Sequence, residues 1–142
     1  MFTSVDSVPA LKSVLLVDDN EMDNKFHSII IRRTGLADCI QVALHGREAI
    51  ELLRESAGTD RAPELILLDI NMPVMNGFEF LAAFQELKEE LGLQSVVIVM
   101  LTTSIFDDDR EKADKFPHLK GYLTKPLTAD SFKMIVNKHL RK

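Results

Sequence analysis

Acidic, hydroxyl and basic side chains stand directly after short apolar runs in this chain of 142 residues. In chain order they are Asp18, Asp19, Asp69, Asn71, Thr102, Thr103, Ser104 and Lys125. Three carboxylates that lie close together repel one another unless a cation lies among them. Because the candidate ligand atoms are all oxygen and no His or Cys pair stands nearby, the residue types favour Mg²⁺ over zinc.

Such a set of residues could carry out phosphoryl chemistry. A Mg²⁺ ion that keeps several waters is well matched by a phosphoryl group on its open side. A hydroxyl and an ammonium from neighbouring strands could hold the phosphoryl oxygens. A carboxylate among them could then act as a nucleophile and form an acyl phosphate.

Each residue also has an ordinary structural role open to it. Asp18 or Asp19 could cap the helix that follows, since Asp is a favoured N-cap. Asp69 could be a turn residue, Thr102 a helix cap, and Lys125 a solvated surface charge. The functional interpretation therefore depends on whether these residues lie together.

Five short apolar runs alternate with longer amphipathic segments. The runs cover residues 14–17, 40–44, 65–68, 96–101 and 121–123. Runs of this length indicate strands buried on both faces, and the alternation predicts a parallel sheet with helices on both faces. We expect an α/β, flavodoxin-like fold with strand order 2-1-3-4-5, in which ligands bind beyond the carboxyl ends of the strands. The residues named above all fall at that edge.

The helical segments differ in strength. Apolar residues of the first recur at helical spacing and predict its apolar face. They are Met22, Phe26, Ile29 and Ile30. The segment after the fourth run is the weakest, with Ser104 or Asp107 as its cap and only Ala113 and Phe116 as an apolar face. We expect that helix to be short and mobile.

Length and composition predict one domain, residues 11–142, after a flexible N-terminal tail, residues 1–10. The net charge of −5 argues against general nucleic-acid binding, and no part of the chain remains for a DNA-binding domain. A single cysteine, Cys39, excludes an intrachain disulfide and favours a reducing compartment. No segment resembles a signal peptide or a membrane span, so we expect a cytoplasmic protein without membrane contact. The four histidines lack ligand spacing and are interpreted as surface or structural residues.

Four motifs resemble the receiver domains of two-component response regulators. They are LLVDDNEMDN, LILLDINMPVMNGFEFL, VIVMLTTS and GYLTKPLTADSF. Their order, spacing and strand-end positions match from about Ser13 to the C-terminus. The plan is similar to that of the stand-alone chemotaxis regulators.

The resemblance implies a role for each matching residue. Asp69 is the expected phospho-acceptor, with Thr102 binding the phosphoryl group and Lys125 pairing with one of its oxygens. The expected ligands of Mg²⁺, or of Mn²⁺ in its place, are Asp18, Asp19, Asp69 and the backbone carbonyl of Asn71. Thr102 and Tyr122 are the expected switch residues, and the bond between Lys125 and Pro126 is expected to be cis. Asn76 and Gly77 stand where the family often has Asp-Gly, and are expected to turn the chain into the third helix.

The implied function is a phosphorylation switch. A phosphohistidine on a sensor histidine kinase or phosphotransfer protein docks near the first helix, and the modified domain controls an unknown protein partner. The protein would catalyse its own phosphorylation and hydrolysis and turn over no separate substrate. The resemblance leaves open the pathway, the phosphoryl lifetime, a homodimer through helix four, strand five and helix five, and an origin within a hybrid kinase.

Two other classes share parts of this pattern. Hydrolases of the haloacid-dehalogenase type also place a nucleophilic Asp after a strand, but they need a second acid where this chain has Asn71, which cannot act as a general acid or base. They also usually carry a cap insertion, for which this chain has no room. A flavodoxin-like FMN binder needs a hydroxyl-rich phosphate loop after the first strand, where Asp18 and Asp19 would repel the phosphate.

Overall fold

The computed structural model describes residues 11–103 and 107–140 and contains one five-stranded parallel sheet. The strands are β1 (Val14–Val17), β2 (Ile40–Ala43), β3 (Leu65–Leu68), β4 (Val97–Thr102) and β5 (Leu119–Thr124). Their order is β2-β1-β3-β4-β5, which confirms the predicted flavodoxin-like arrangement. The predicted tail, residues 1–10, and Ser104 lie outside the described residues.

Five helices follow the strands in turn. They are α1 (Glu21–Thr34), α2 (Gly46–Ser56), α3 (Gly77–Leu87), α4 (Asp107–Ala113) and α5 (Ala129–Ile135), the last extended by a π-helical turn (Val136–Leu140). Helix α4 is short, as predicted, but it ends before Phe116, so that residue does not belong to its apolar face. Asp107 is the first residue of α4.

Two apolar clusters cover the two faces of the sheet. Because successive strand residues point to opposite faces, Leu15 and Ile66 belong to one cluster and Leu16 and Leu67 to the other. The first cluster lies under α2 and α3, and the second lies under α1 and α5. Every residue of β1, β3 and β4 is buried, which explains why these strands read as continuous apolar runs.

Helix α1 presents a face other than the predicted one to the core. It buries Asn24, His27 and Ile31. The apolar residues Met22, Phe26 and Ile29 instead remain 79%, 47% and 42% exposed. The Asn24 side chain donates a hydrogen bond of 2.8 Å to the carbonyl oxygen of Asp18, which helps to fix the rotation of the helix. The prediction was therefore wrong for these three residues, which form an apolar stripe on the outside of the molecule, whereas Ile30 is partly buried against the second cluster.

Within the described residues, no helix is both long enough and apolar enough to cross a membrane.

Candidate functional site

Three carboxylates meet at the carboxyl ends of β1 and β3. One ligand oxygen each from Asp18, Asp19 and Asp69 lies within 4.8 Å of the other two. Asp18 and Asp69 are buried, whereas Asp19 is exposed. The structure therefore brings together the three acids that the sequence placed at one edge of the sheet.

The backbone of the sheet sets the position of the two buried acids. The Asp18 amide donates to the carbonyl oxygen of Ala43, and the Asp69 amide donates to that of Val17. These bonds continue the strand pairing by one residue beyond β1 and β3. The Asp69 carboxylate also accepts a hydrogen bond of 2.8 Å from the amide of Ile70. The side chains of Asp18 and Asp69 therefore project from a rigid part of the fold.

Lys125 brings one positive charge to several carboxylates. Its amide donates to the carbonyl oxygen of Thr102, and its bond to Pro126 is cis, as expected. Its ammonium lies 2.5 Å from Asp18 Oδ2 and 3.6 Å from Asp69 Oδ2. The lysine side chain is only 10% exposed.

The same ammonium has a third acidic partner that sequence reasoning missed. Nζ of Lys125 lies 2.9 Å from Oδ2 of Asp23, which stands in the first turn of α1. Asp23 is not part of the three-acid cluster of Asp18, Asp19 and Asp69. Its position in the sequence resembles an ordinary acidic residue at a helix N-terminus, so only the chain packing reveals the contact with Lys125.

Burial and charge act against each other on the lysine. Burial alone would lower the pKa of Lys125, but the hydrogen bonds to Asp18 and Asp23 and the charges of Asp69 and Asp18 more than offset it. The pKa of Lys125 is therefore raised, and the lysine stays protonated throughout the physiological range.

At Asp69, the expected phospho-acceptor, burial raises the pKa instead of lowering it. Burial, and then the charge of Asp18, raise the pKa of Asp69, while Lys125, the Ile70 amide and the Thr102 hydroxyl act to lower it. The net result is a raised pKa. Repulsion between acids thus exceeds what Lys125 compensates, and the site favours an additional positive charge.

The simple capping roles considered for these residues are wrong. Asn20 caps α1, where its side chain accepts a hydrogen bond from the amide of Asp23. Thr102 is the last residue of β4 and is buried, well before α4 begins. Asp18, by contrast, accepts a hydrogen bond from the amide of Asn20, so it supports the loop rather than capping the helix itself.

The loop after Asp69 leads into α3 at Asn76 and Gly77, as predicted. Asn76 is the extended N-cap of α3, and the residue with left-handed backbone is Val74, at φ 67° and 71% exposed. A β-branched residue in this conformation is strained. Gly77 is needed for another reason, since a Cβ there would lie 2.5 Å from the carbonyl oxygen of Asp69. Asn71 is exposed, and the expected role of its carbonyl as a ligand stays a prediction.

Tyr122 lies at the other side of β5, in contact with the region of α4. Its hydroxyl donates to Oδ1 of Asp114 at 3.3 Å, and the guanidinium of Arg110 lies 5.1 Å from the ring centroid. The side chain is half-buried. It is the fourth residue of β5 rather than the second, because the strand begins at Leu119.

The donor set fits a hard divalent cation. All three clustered ligand atoms are carboxylate oxygens, which Mg²⁺ prefers. Burial is the largest cause of the raised pKa of Asp69, and the charge of Asp18 adds to it, so a cation beside Asp69 would stabilise its ionised form. Asp18, Asp19 and Asp69 are the residues that would hold such an ion.

Comparisons with known proteins agree with this architecture. Residues 14–137 match the family model of the response regulator receiver domain. The chain is 33% identical to the probable methanogenesis regulatory protein FilR2 of Methanothrix harundinacea, over 87% of this chain and 77% of that protein. It is 32% identical to the response regulator Rcp1 of Synechocystis, over 87% of this chain and 84% of that protein.

A solved structure gives the same result. The two-component response regulator from Cytophaga hutchinsonii superposes with a TM-score of 0.83 at 33% identity, covering 94% of this chain and 99% of that one. The chain therefore belongs to the response regulator receiver family of two-component systems.

Proposed function

We propose that the protein is a phosphorylation switch that accepts a phosphoryl group on Asp69. The observation that carries this proposal is the convergence of Asp18, Asp19 and Asp69 within 4.8 Å, with the Lys125 ammonium 3.6 Å from Asp69. Membership of the receiver family supports it. The fold uses rigid strand ends to hold acids that would otherwise separate.

The reaction would be a transfer between two side chains. A carboxylate oxygen of Asp69 attacks the phosphorus of a phosphohistidine, an O–P bond forms, and the N–P bond breaks. The imidazole nitrogen leaves with the electron pair of that bond. Lys125 and Thr102 would hold the phosphoryl oxygens, and their position beside Asp69 supports these roles.

A divalent cation would complete the site. Mg²⁺, or Mn²⁺ in its place, would neutralise charge on the transferring group, which is most of what phosphoryl transfer requires. Asp18, Asp19 and Asp69 would hold it, with the carbonyl of Asn71 as the further ligand that the family resemblance implies. The protein would thus promote its own modification and hydrolysis without turning over a separate substrate.

The phosphoryl donor would dock on α1. The stripe formed by Met22, Phe26 and Ile29 is exposed and begins in the first turn of the helix, beside the acidic site. Residues spaced by four and three positions lie on one face, where a facing helix could cover them. A sensor histidine kinase or a phosphotransfer protein in the cytoplasm would present its histidine from this side.

The phosphorylated protein would bind its downstream partner through a surface on the opposite side of the site. On phosphorylation, Thr102 would move toward the phosphoryl group and Tyr122 would turn inward. The surface made by α4, β5 and α5 would then change shape and bind a downstream protein.

The direct test is labelling of the purified chain with acetyl phosphate. With Mg²⁺ present, we expect intact mass to increase by one phosphoryl group, and we expect Asp69→Ala and removal of the metal to abolish the increase. Asp60→Ala, at an exposed acid far from the cluster, is the matched control and should label like the wild type. Labelling that survives Asp69→Ala would disprove the assignment.

The docking surface is tested by comparing two donors. Phe26→Ser should slow transfer from a histidine kinase that labels the wild type by about tenfold, since removing a central aromatic contact commonly costs more than 1 kcal/mol of binding. Labelling by acetyl phosphate should not change. Asp60→Ala, at an exposed residue outside α1, serves as the control. Equal slowing with both donors would point to damage at the site instead.

A further inference from the structure

The ammonium of Lys125 is held closer to Asp23 than to Asp69. The distances from Nζ are 2.9 Å to Asp23 and 3.6 Å to Asp69. The first is a charge-assisted hydrogen bond, and the second is too long for one. In this state Asp18 and Asp23, rather than Asp69, satisfy the lysine.

Asp23 is placed by features that do not depend on the lysine. It follows Asn20, the N-cap of α1, whose side chain accepts the Asp23 amide hydrogen at 3.0 Å. An acid in the first turn is also favoured by the helix dipole. The carboxylate would therefore stay close to its present position if Lys125 moved away.

The ion pair does little for the stability of the fold. The side chain of Asp23 is 36% exposed, and pairs with an exposed member contribute little free energy of unfolding. The ion pair with Asp23 instead affects the position of the buried Lys125 ammonium within the site. A phosphoryl group on Asp69 would draw the same ammonium toward itself, and Lys125 cannot keep its full interaction with both.

The geometry points to Asp23 as a positioning residue that competes with the phosphoryl group for Lys125. Asp23 holds the ammonium on the α1 side of the site while Asp69 is unmodified. Phosphorylation then has to detach Lys125 from Asp23, so Asp23 lowers the stability of the phosphorylated state relative to the unmodified one. This inference rests on the phospho-acceptor role proposed for Asp69.

The test measures the affinity of the purified chain for beryllofluoride, a phosphoryl mimic, in the presence of Mg²⁺. We expect Asp23→Asn to tighten the affinity by about two- to fivefold, as expected when a partly exposed ion-pair competitor is removed. The fraction of Asp23→Asn labelled by acetyl phosphate at steady state should also increase. Asp23→Glu keeps the charge and should return both quantities to values near those of the wild type.

A matched variant separates the local contact from net charge. Glu21→Gln removes one acid from the same turn of α1, and Glu21 is not among the ion-pair partners of Lys125 within the described residues. We expect its beryllofluoride affinity to equal that of the wild type. If Glu21→Gln increased the beryllofluoride affinity as much as Asp23→Asn, the cause would be the change in net charge and not the contact with Lys125, and the proposal would be overturned.

The outcomes also distinguish the two levels of the argument. If the wild type neither binds beryllofluoride nor accepts a phosphoryl group, the proposed function itself fails. If the wild type does both and Asp23→Asn shows unchanged or weaker binding, only the role of Asp23 is overturned.

Discussion

The acidic site and the contact between β5 and α4 hold charged side chains in different ways. At the site, the Lys125 ammonium and the carboxylates of Asp18 and Asp69 are about nine-tenths buried and packed against rigid strand ends. At the β5–α4 contact, the hydroxyl of Tyr122 meets Asp114 through one long, exposed hydrogen bond. The first region is held tightly by buried charge, and the second is held by weak contacts.

This difference matches what the proposed phosphorylation switch would require of its two ends. A phosphoryl site needs fixed groups, because transfer depends on positioned charge. A surface that changes shape must have two arrangements of similar free energy, which weak contacts permit. The following predictions test whether the energetic contrast between the two regions is real.

The largest effect should come from removing the buried cation. Lys125→Met should lower the free energy of unfolding by about 3 kcal/mol at pH 7 without metal, since it leaves buried carboxylates unpaired. Urea denaturation measures this, and added Mg²⁺ should restore part of the loss. Lys12→Met breaks an ion pair whose side chains are 67% and 93% exposed, and should cost less than about 0.5 kcal/mol. Equal losses in both variants would contradict the contrast.

A smaller effect of opposite sign should follow from neutralising Asp69. The folded-state pKa of Asp69 is raised above 3.8, so the folded chain keeps a proton that the unfolded chain releases. The stability contributed by this group is therefore present below pH 3.8 and is lost as the pH rises through the folded pKa. Asp69→Asn should accordingly be more stable than the wild type at pH 7 by about 1 kcal/mol, the size of a common single-site effect.

The pH dependence supplies the check on that variant. Denaturation without metal should show the advantage of Asp69→Asn shrinking as the pH falls toward 4, and added Mg²⁺ should shrink it at pH 7 by stabilising only the wild type. A constant difference across pH would show that the carboxyl group does not carry the penalty.

The smallest effect should come from the β5–α4 contact. Tyr122→Phe removes one exposed hydrogen bond of 3.3 Å while keeping the ring near Arg110. We expect the free energy of unfolding, measured by thermal or urea denaturation, to fall by about 0.5 kcal/mol or less. A loss as large as that of Lys125→Met would mean that this contact is not the weaker one.

The sequence was sufficient to predict the strand order and the acids at the sheet edge. The spacing of apolar residues marks the buried strands, and the ends of those apolar runs show which polar residues lie at the edge of the sheet. The contact between Asp23 and Lys125 could not be predicted in the same way. It depends on how α1 is rotated against the sheet, and the exposed stripe of Met22, Phe26 and Ile29 shows that apolar spacing alone predicts the wrong rotation.

The loop between β3 and α3 shows a second kind of limit. Asn76 and Gly77 lead into α3 as the sequence predicts, but the left-handed backbone at Val74 could not be predicted, because a β-branched residue is poorly suited to that conformation. The sequence also cannot show that Gly77 lies against the backbone of Asp69, since this is a close approach between residues eight positions apart.

That close approach has a consequence for how this site can vary. At 2.5 Å from the carbonyl oxygen of Asp69, the space at position 77 excludes every side chain, even a methyl group. The amide of Gly77 also donates to the carbonyl oxygen of Ile70, so α3 begins in direct contact with the segment that carries Asp69. A side chain at position 77 would push the backbone of Asp69 and the start of α3 apart, so a change there alters the geometry of the acidic site directly.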